Sequence, residues 1–134
     1  MSLFNVFSIS GSAVSAQAKR LNVVASNLAN ADSVVGPDGQ PYKARQINFQ
    51  AELAATGEAE GVRVASVTET DAPGRRVHDP ANPMADADGY VTHSNVNVVD
   101  EMVNMISASR AYQNNVEVMN TARTLLSKTL QMGQ

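Results

Sequence analysis

From Asn95 to Met132 the chain carries neither proline nor glycine, and its apolar side chains keep a seven-residue rhythm. Val98, Met105, Tyr112, Met119 and Leu126 occupy one position of the repeat, and Met102, Val116 and Leu130 a companion position, with Ser109 and Arg123 as its polar exceptions. A seven-residue spacing keeps side chains on one stripe of a helix but flips them between the faces of a strand, so this segment is predicted as one long amphipathic helix. At about 1.5 Å per residue it would run on the order of 50 Å. Asn95 or Asn97 is placed to cap its start, and Asp100 and Glu101 put negative charge on the first turn. Lys128 puts positive charge near the last turn, and Gly133 supplies the stop.

The N-terminal segment has the same character. Up to Ser33 it contains no proline and a single glycine, Gly11, while Phe7, Val14, Leu21 and Leu28 recur every seven residues. Val24 and Ala31 stand at the companion position, which is polar at Ser10 and Gln17. Asn30 and Asp32 favour the end of this helix, and Gly36-Pro37-Asp38-Gly39-Gln40-Pro41 is a dense turn signal beyond it. A helix of this kind is marginal alone, because most of its stability comes from whatever covers its apolar stripe. The expected fold is therefore mainly α, with residues 1-33 and 96-134 pairing as a coiled-coil hairpin and residues 34-95 forming a β-containing, irregular outer segment. The apolar faces exceed one seam, since Ile9, Ala13, Ala16 and Val23 widen the first and Val99, Val103, Ile106 and Leu125 the second. The excess points to additional chains.

In the middle, Gly61 to Thr68 alternates Val62 and Val64 with Arg63 and Ala65 before shifting phase, which predicts a short strand. Tyr42 to Phe49 alternates less regularly and is read as a second strand. Pro73, Pro80 and Pro83 make Asp71 to Met84 an irregular excursion rather than an element. Asp86-Ala87-Asp88-Gly89 has the look of a calcium loop, but with Gly89 as sixth position the first and twelfth are Met84 and Asn95, neither a carboxylate. The expectation is a turn leading into a strand at Tyr90 to Thr92.

Composition narrows the function. At 134 residues the chain has the length of one domain, and six aromatic side chains with no tryptophan leave little to anchor a thick core. The formal charge is -3 with basic residues scattered, which argues against a nucleic-acid partner. There is no cysteine for disulfides, thiolate zinc or thiol catalysis. No stretch approaches the roughly 18 apolar residues of a membrane span, and the first ten residues lack the basic start of a cleavable secretory signal. His78 and His93 lie fifteen apart without metal-ligand spacing, Glu69 and Asp71 read as solvated loop carboxylates, and no serine sits in a nucleophile elbow. No catalytic, cofactor-binding or metal-binding residues are assigned, and the chain is not read as an enzyme. Met102, Met105 and Met119 serve packing or an adaptable binding groove, both forms of protein contact. Lys19, Arg20, Arg110, Arg123 and Lys128 read as a solvated face able to form inter-chain ion pairs.

The run Arg20-Leu21, followed by Ala25, Asn27, Leu28, Ala29 and Asn30, resembles the N-terminal signature of bacterial flagellar rod and hook proteins. Gly36 to Tyr42, Asn82 to Val91 and Val96 to Gln113 are similar to the proximal-rod members of that family, and the short middle agrees with them. The resemblance implies a structural subunit that passes through the flagellar type III export apparatus without a cleaved signal. It implies assembly in the periplasm into the rod that carries torque from the membrane ring to the hook. Implied partners are copies of itself, the rod proteins FlgB, FlgF, FlgG and FliE, and the MS ring. On this reading the assembly interface comprises Phe7, Val14, Leu21, Val24, Leu28, Val98, Met102, Met105, Tyr112, Val116, Met119, Leu126 and Leu130. The alternative is a soluble helical-hairpin adaptor or secretion chaperone, folded as a monomer, whose Met-rich face holds a peptide helix.

Overall fold

The computed structural model describes residues 2–34 and 39–133, so Gly36, Pro37 and Asp38 of the expected turn lie outside the described residues. Helix α1 spans Leu3–Ala29 and helix α2 spans Val98–Met132. Between them in sequence come strands β1 (Arg45–Leu53), β2 (Ala59–Glu69), β3 (Arg76–His78) and β4 (Tyr90–Thr92). Two long terminal helices and a small strand-bearing middle are thus present. Two expectations are corrected: the first strand begins at Arg45 rather than Tyr42, and the Asp71 to Met84 excursion contains β3. Three residues between prolines hold too little alternation to announce a strand. What specifies β3 is its antiparallel partner β4, which sets Val77 opposite Val91.

Strands β1 and β2 make one two-stranded sheet and β3 and β4 another. The β1–β2 hairpin is unequal. Between the backbone bonds that tie Ala54 to Glu58 and Ala44 to Thr70, both 2.8 Å, one arm takes ten residue steps and the other twelve. The extra two must be absorbed as bulges in β2. Asn48 bonds Ser66 at 3.1 Å and Arg63 bonds Gln50 at 2.9 Å, so Arg63 and Ser66, three apart, share a face with Asn48 and Gln50, two apart. That change of parity is the phase shift visible in the sequence after Val64. The second irregularity falls at Gly61, whose φ of 154° is one that side-chain-bearing residues rarely adopt. A Cβ there would also run into the Ser12 side chain on α1.

The chain forms two compact units. The first contains residues 1–21, 47–66 and 106–134. Its buried side chains are small, namely Ser10, Ala16, Ala108 and Ala122. Along α2 in this unit the less exposed positions run through Ala108, Tyr112, Asn115, Met119, Ala122 and Leu126, alternating steps of four and three. The two helices approach where a Cβ on Gly11 would stand 3.8 Å from Met119 Cε. Ser12 joins α1 to the hairpin, its Oγ donating to Ile9 O at 2.7 Å and accepting from Val62 N at 3.0 Å.

The second unit contains residues 22–46 and 67–105. It buries Val24, Ala31 and Val91 together with two polar residues, Asn27 and Ser94. The expected turn before β4 is built on Asp86, whose Oδ1 accepts from the Asp88 amide at 3.0 Å and the Tyr90 amide at 2.9 Å while Arg76 reaches Oδ2 at 2.9 Å. These bonds hold the carboxyl below its ordinary range; the Tyr90 amide acts most strongly, desolvation opposes it, and the Asp88 amide and Arg76 add to it. A depressed folded value means stability that is present above the ordinary carboxylate pKa and lost as pH falls through the depressed one. In an NMR titration of the folded chain the Asp86 carboxyl is expected to titrate below the ordinary aspartate range. A midpoint within that range would refute the bonding described.

Candidate functional site

The last turn of α1 is the best-organised part of the molecule. Asn27 is 1% exposed and uses both ends of its amide: Nδ2 donates to Arg45 O at 2.8 Å, and Oδ1 accepts from Arg45 N and from Tyr42 Oη, each at 2.9 Å. Tyr42 Oη also lies 3.1 Å from Ser26 Oγ. One side chain thus supplies both backbone bonds of Arg45, the first residue of β1, as a neighbouring strand would. Asn30 closes the helix by donating Nδ2 to Ser26 O at 2.8 Å, and Ser33 Oγ donates to Asn30 O at 2.8 Å.

The approach to α2 is held in the same way. Ser94 Oγ donates to Ala31 O at 2.7 Å, and His93 Nδ1 lies 3.2 Å from Asp32 O. Asn95 accepts from Ala44 N at 2.6 Å and donates to Thr70 O and Ala72 O at 2.7 and 2.9 Å. Asn95 being so engaged, the helix cap is Asn97, which accepts from Val99 N at 3.1 Å and Asp100 N at 3.2 Å. His78 stands edge-on to Tyr90 with ring centroids 5.1 Å apart. The arrangement is a polar clamp that positions backbone.

Outside that clamp the helices are unusually bare. Val99 is 68% exposed and Val103 60%, with Met102 and Ile106 more than half exposed beside them. Leu130 and Met132 at the far end are exposed, as is Phe4 on α1. Of the thirteen residues assigned to the interface, Phe7, Val98, Met102, Met105 and Leu130 are exposed, Val24 is buried, and Val14, Leu21, Leu28, Tyr112, Val116, Met119 and Leu126 are half-buried. Ion pairs are distributed unevenly as well. Asp32–Arg75, Lys43–Asp71, Arg45–Glu69 and Arg76–Asp86 all lie in the second unit, whereas the charged residues of α2 form none among the described residues.

Residues 7–37 match the family model described as flagella basal body rod protein, and residues 87–132 match that for the flagellar basal body rod FlgEFG protein C-terminal. The flagellar basal-body rod protein FlgC of Salmonella typhimurium is 60% identical over 134 residues, covering all of both chains. That of Escherichia coli O157:H7 is 59% identical over the same span, and that of Buchnera aphidicola from Baizongia pistaciae 40% over 136 residues. The chain belongs to the FlgC family of flagellar basal-body rod proteins.

As a FlgC-family chain it is a structural component of the rod in the basal body. The geometry now gives two signature residues a physical role: Asn27 is the clamp on β1, and Asn30 is the helix terminator. Ala25 and Ala29 of the same signature are exposed and Leu21 and Leu28 half-buried. Ser94 was not singled out from the sequence, Asn95 was read only as a candidate helix cap and Tyr42 only as the start of a strand, although all three take part in the clamp. The available signal was Asn27 itself, a weak helix former inside a helical run, where a polar side chain is retained only if something needs its hydrogen bonds.

Proposed function

We propose that the chain is a proximal-rod subunit whose terminal segments, 1-33 and 96-134, build the axial core while 34-95 lies outside it. In this reading the two helices pair as a coiled-coil hairpin, and neighbouring chains complete the cover of their apolar faces. The observation that carries it is the exposure of large apolar side chains along α2 and at the start of α1, at Phe4 and Phe7, the kind of surface that marks protein contact. The interface comprises the thirteen residues named above, with Phe7, Met102, Met105 and Leu130 reaching other chains and Val24 supporting the fold from within. Neighbours are copies of the chain, FlgB, FlgF, FlgG and FliE, and the MS ring. The subunit reaches the periplasm through the flagellar type III export apparatus without a cleaved signal. Interlocked helices then transmit torque toward the distal rod and hook.

Leu21→Asp and Leu126→Asp are expected to abolish incorporation into basal bodies and swimming, since each puts a charge into an apolar seam. Because both leucines are half-buried, Met102→Asp separates assembly from folding. Its circular dichroism should match that of the parent while incorporation is lost. Normal motility in all three variants would overturn the assignment.

A further inference from the structure

The turn before β4 holds an aspartate directly followed by a glycine, Asp88–Gly89. In such a dipeptide the side-chain carboxyl meets the next backbone nitrogen readily, because glycine has no Cβ to obstruct the approach. The sequence has one other, Asp38–Gly39, whose aspartate lies outside the described residues. The Asp88 side chain is exposed and takes no hydrogen bond or ion pair among the described residues. Its neighbour is pinned on both sides: Gly89 N donates to Asp86 O at 3.0 Å, and Gly89 O accepts from Asp79 N at 2.9 Å. The turn itself demands glycine there, since φ is 81° and a Cβ would stand 3.2 Å from both His78 Nε2 and Pro80 Cγ. Asp86 completes the frame, its Oδ1 accepting from the amides of Asp88 and Tyr90 and its own N–H donating to Tyr90 O at 2.9 Å.

We infer that Asp88–Gly89 is a latent site of spontaneous covalent modification, the isomerisation of aspartate to isoaspartate, and that the Asp86 turn keeps it closed. In the reaction Gly89 N bonds to Asp88 Cγ, the amide proton and a carboxyl hydroxyl leave as water, and a five-membered cyclic imide results. Water then opens the ring. Hydrolysis at the side-chain carbonyl restores aspartate. Hydrolysis at the main-chain carbonyl breaks the original peptide bond and leaves the chain running through Cγ. Water is released and taken up again, so the net change is an isomerisation that needs no oxidant or reductant. The nitrogen must surrender its proton, and that proton is the one donated to Asp86 O. The turn therefore has to open locally before the ring forms. Once made, the isoaspartyl link adds a methylene to the backbone between the two amides that Asp86 Oδ1 receives. One oxygen no longer serves both, and the pairing of the buried Val91 with Val77 loses the turn that sets it.

The full chain and its Asp86→Ala, Asp86→Asn and Asp88→Glu variants are incubated at neutral pH, in buffer and in guanidinium chloride. Isoaspartate is read by methyl transfer from an isoaspartyl-specific methyltransferase and located by fragmentation of the tryptic peptide 77–110. The unfolded parent is expected to accumulate isoaspartate at Asp88, and the folded parent to do so at least about tenfold more slowly. Folded Asp86→Ala should gain about tenfold over the folded parent, the factor that loss of one hydrogen bond to a charged group produces. Asp86→Asn keeps an acceptor for both amides and should stay nearer the parent than Asp86→Ala. Asp88→Glu closes the larger ring far more slowly and should lose the signal at this position. No isoaspartate at Asp88 in the unfolded chain, or equal rates folded and unfolded, overturns the inference. So does an Asp86→Ala rate no higher than that of the parent. Circular dichroism shows whether Asp86→Ala is folded; where it is not, an Asp86→Asn chain that folds yet isomerises at the unfolded rate overturns the role of the turn.

Discussion

Replacing Asn27 with alanine is expected to remove about 3 kcal/mol of stability, the largest loss from any single side chain in the clamp. The truncation deletes three hydrogen bonds and leaves both the N–H and the C=O of Arg45 without partners. An unsatisfied buried polar group costs about 1–3 kcal/mol, and two are created together. Some of that loss is offset if water enters, since Arg45 itself is exposed. For a chain of this length the change corresponds to a fall in Tm of roughly 10 °C. Urea denaturation followed by circular dichroism measures it directly, and an unchanged midpoint would mean that the clamp contributes nothing. Asn27→Asp is a sharper test. It keeps the acceptor for Arg45 N and Tyr42 but loses the donor to Arg45 O and introduces a buried charge, so it should be no better than alanine.

Gly74→Ala is the second large effect, and its sign is informative. At a site with room, glycine to alanine stabilises by about 0.4–1 kcal/mol, because the unfolded chain loses freedom. Here a Cβ would run into the backbone carbonyl of His93 and come within 3.0 Å of Thr92 Cγ2. A side chain could swing aside. The carbonyl cannot, because its residue is tied by His93 N to Arg75 O at 2.8 Å and the chain pairs again through Arg75 N and Ser94 O. Relief requires separating the two segments, so a destabilisation of about 3 kcal/mol is expected, in the range of overpacked cores. A midpoint that rises or stays in place in urea would refute this close approach.

Much of the architecture was legible because it depends on period. Seven-residue spacing without proline marked both terminal helices, and the observed ends, Ala29 and Met132, fall beside Asn30 and Gly133 as the local signals implied. The turn at Asp86 that leads into the strand at Tyr90–Thr92 was equally local, its carboxylate bonding amides two and four positions on. The clamp was not legible, because its partners are 15 to 18 residues apart for Asn27 and up to 51 for Asn95. Nothing in the spacing of Asn27, Tyr42 and Arg45 announces that one amide will serve both backbone groups of a distant residue. The strand β3 was hidden for the same reason, since its register is set by β4. The N-cap shows the boundary well. Asn95 and Asn97 were equivalent by sequence, and only the demand of Ala44, Thr70 and Ala72 for a hydrogen-bonding partner assigned Asn95 elsewhere.

Periodicity, composition and signature residues thus determined the helical plan, the thinness of the core and the family, because each is written in near-neighbour spacing or in residue type. Tertiary structure decided which polar residues are buried, where β2 takes up its extra residues, and which apolar side chains of α2 stay uncovered. Those outcomes depend on the free energy of satisfying groups distant in sequence, and hydrogen-bonding and burial requirements of that kind are met only once the chain has closed upon itself.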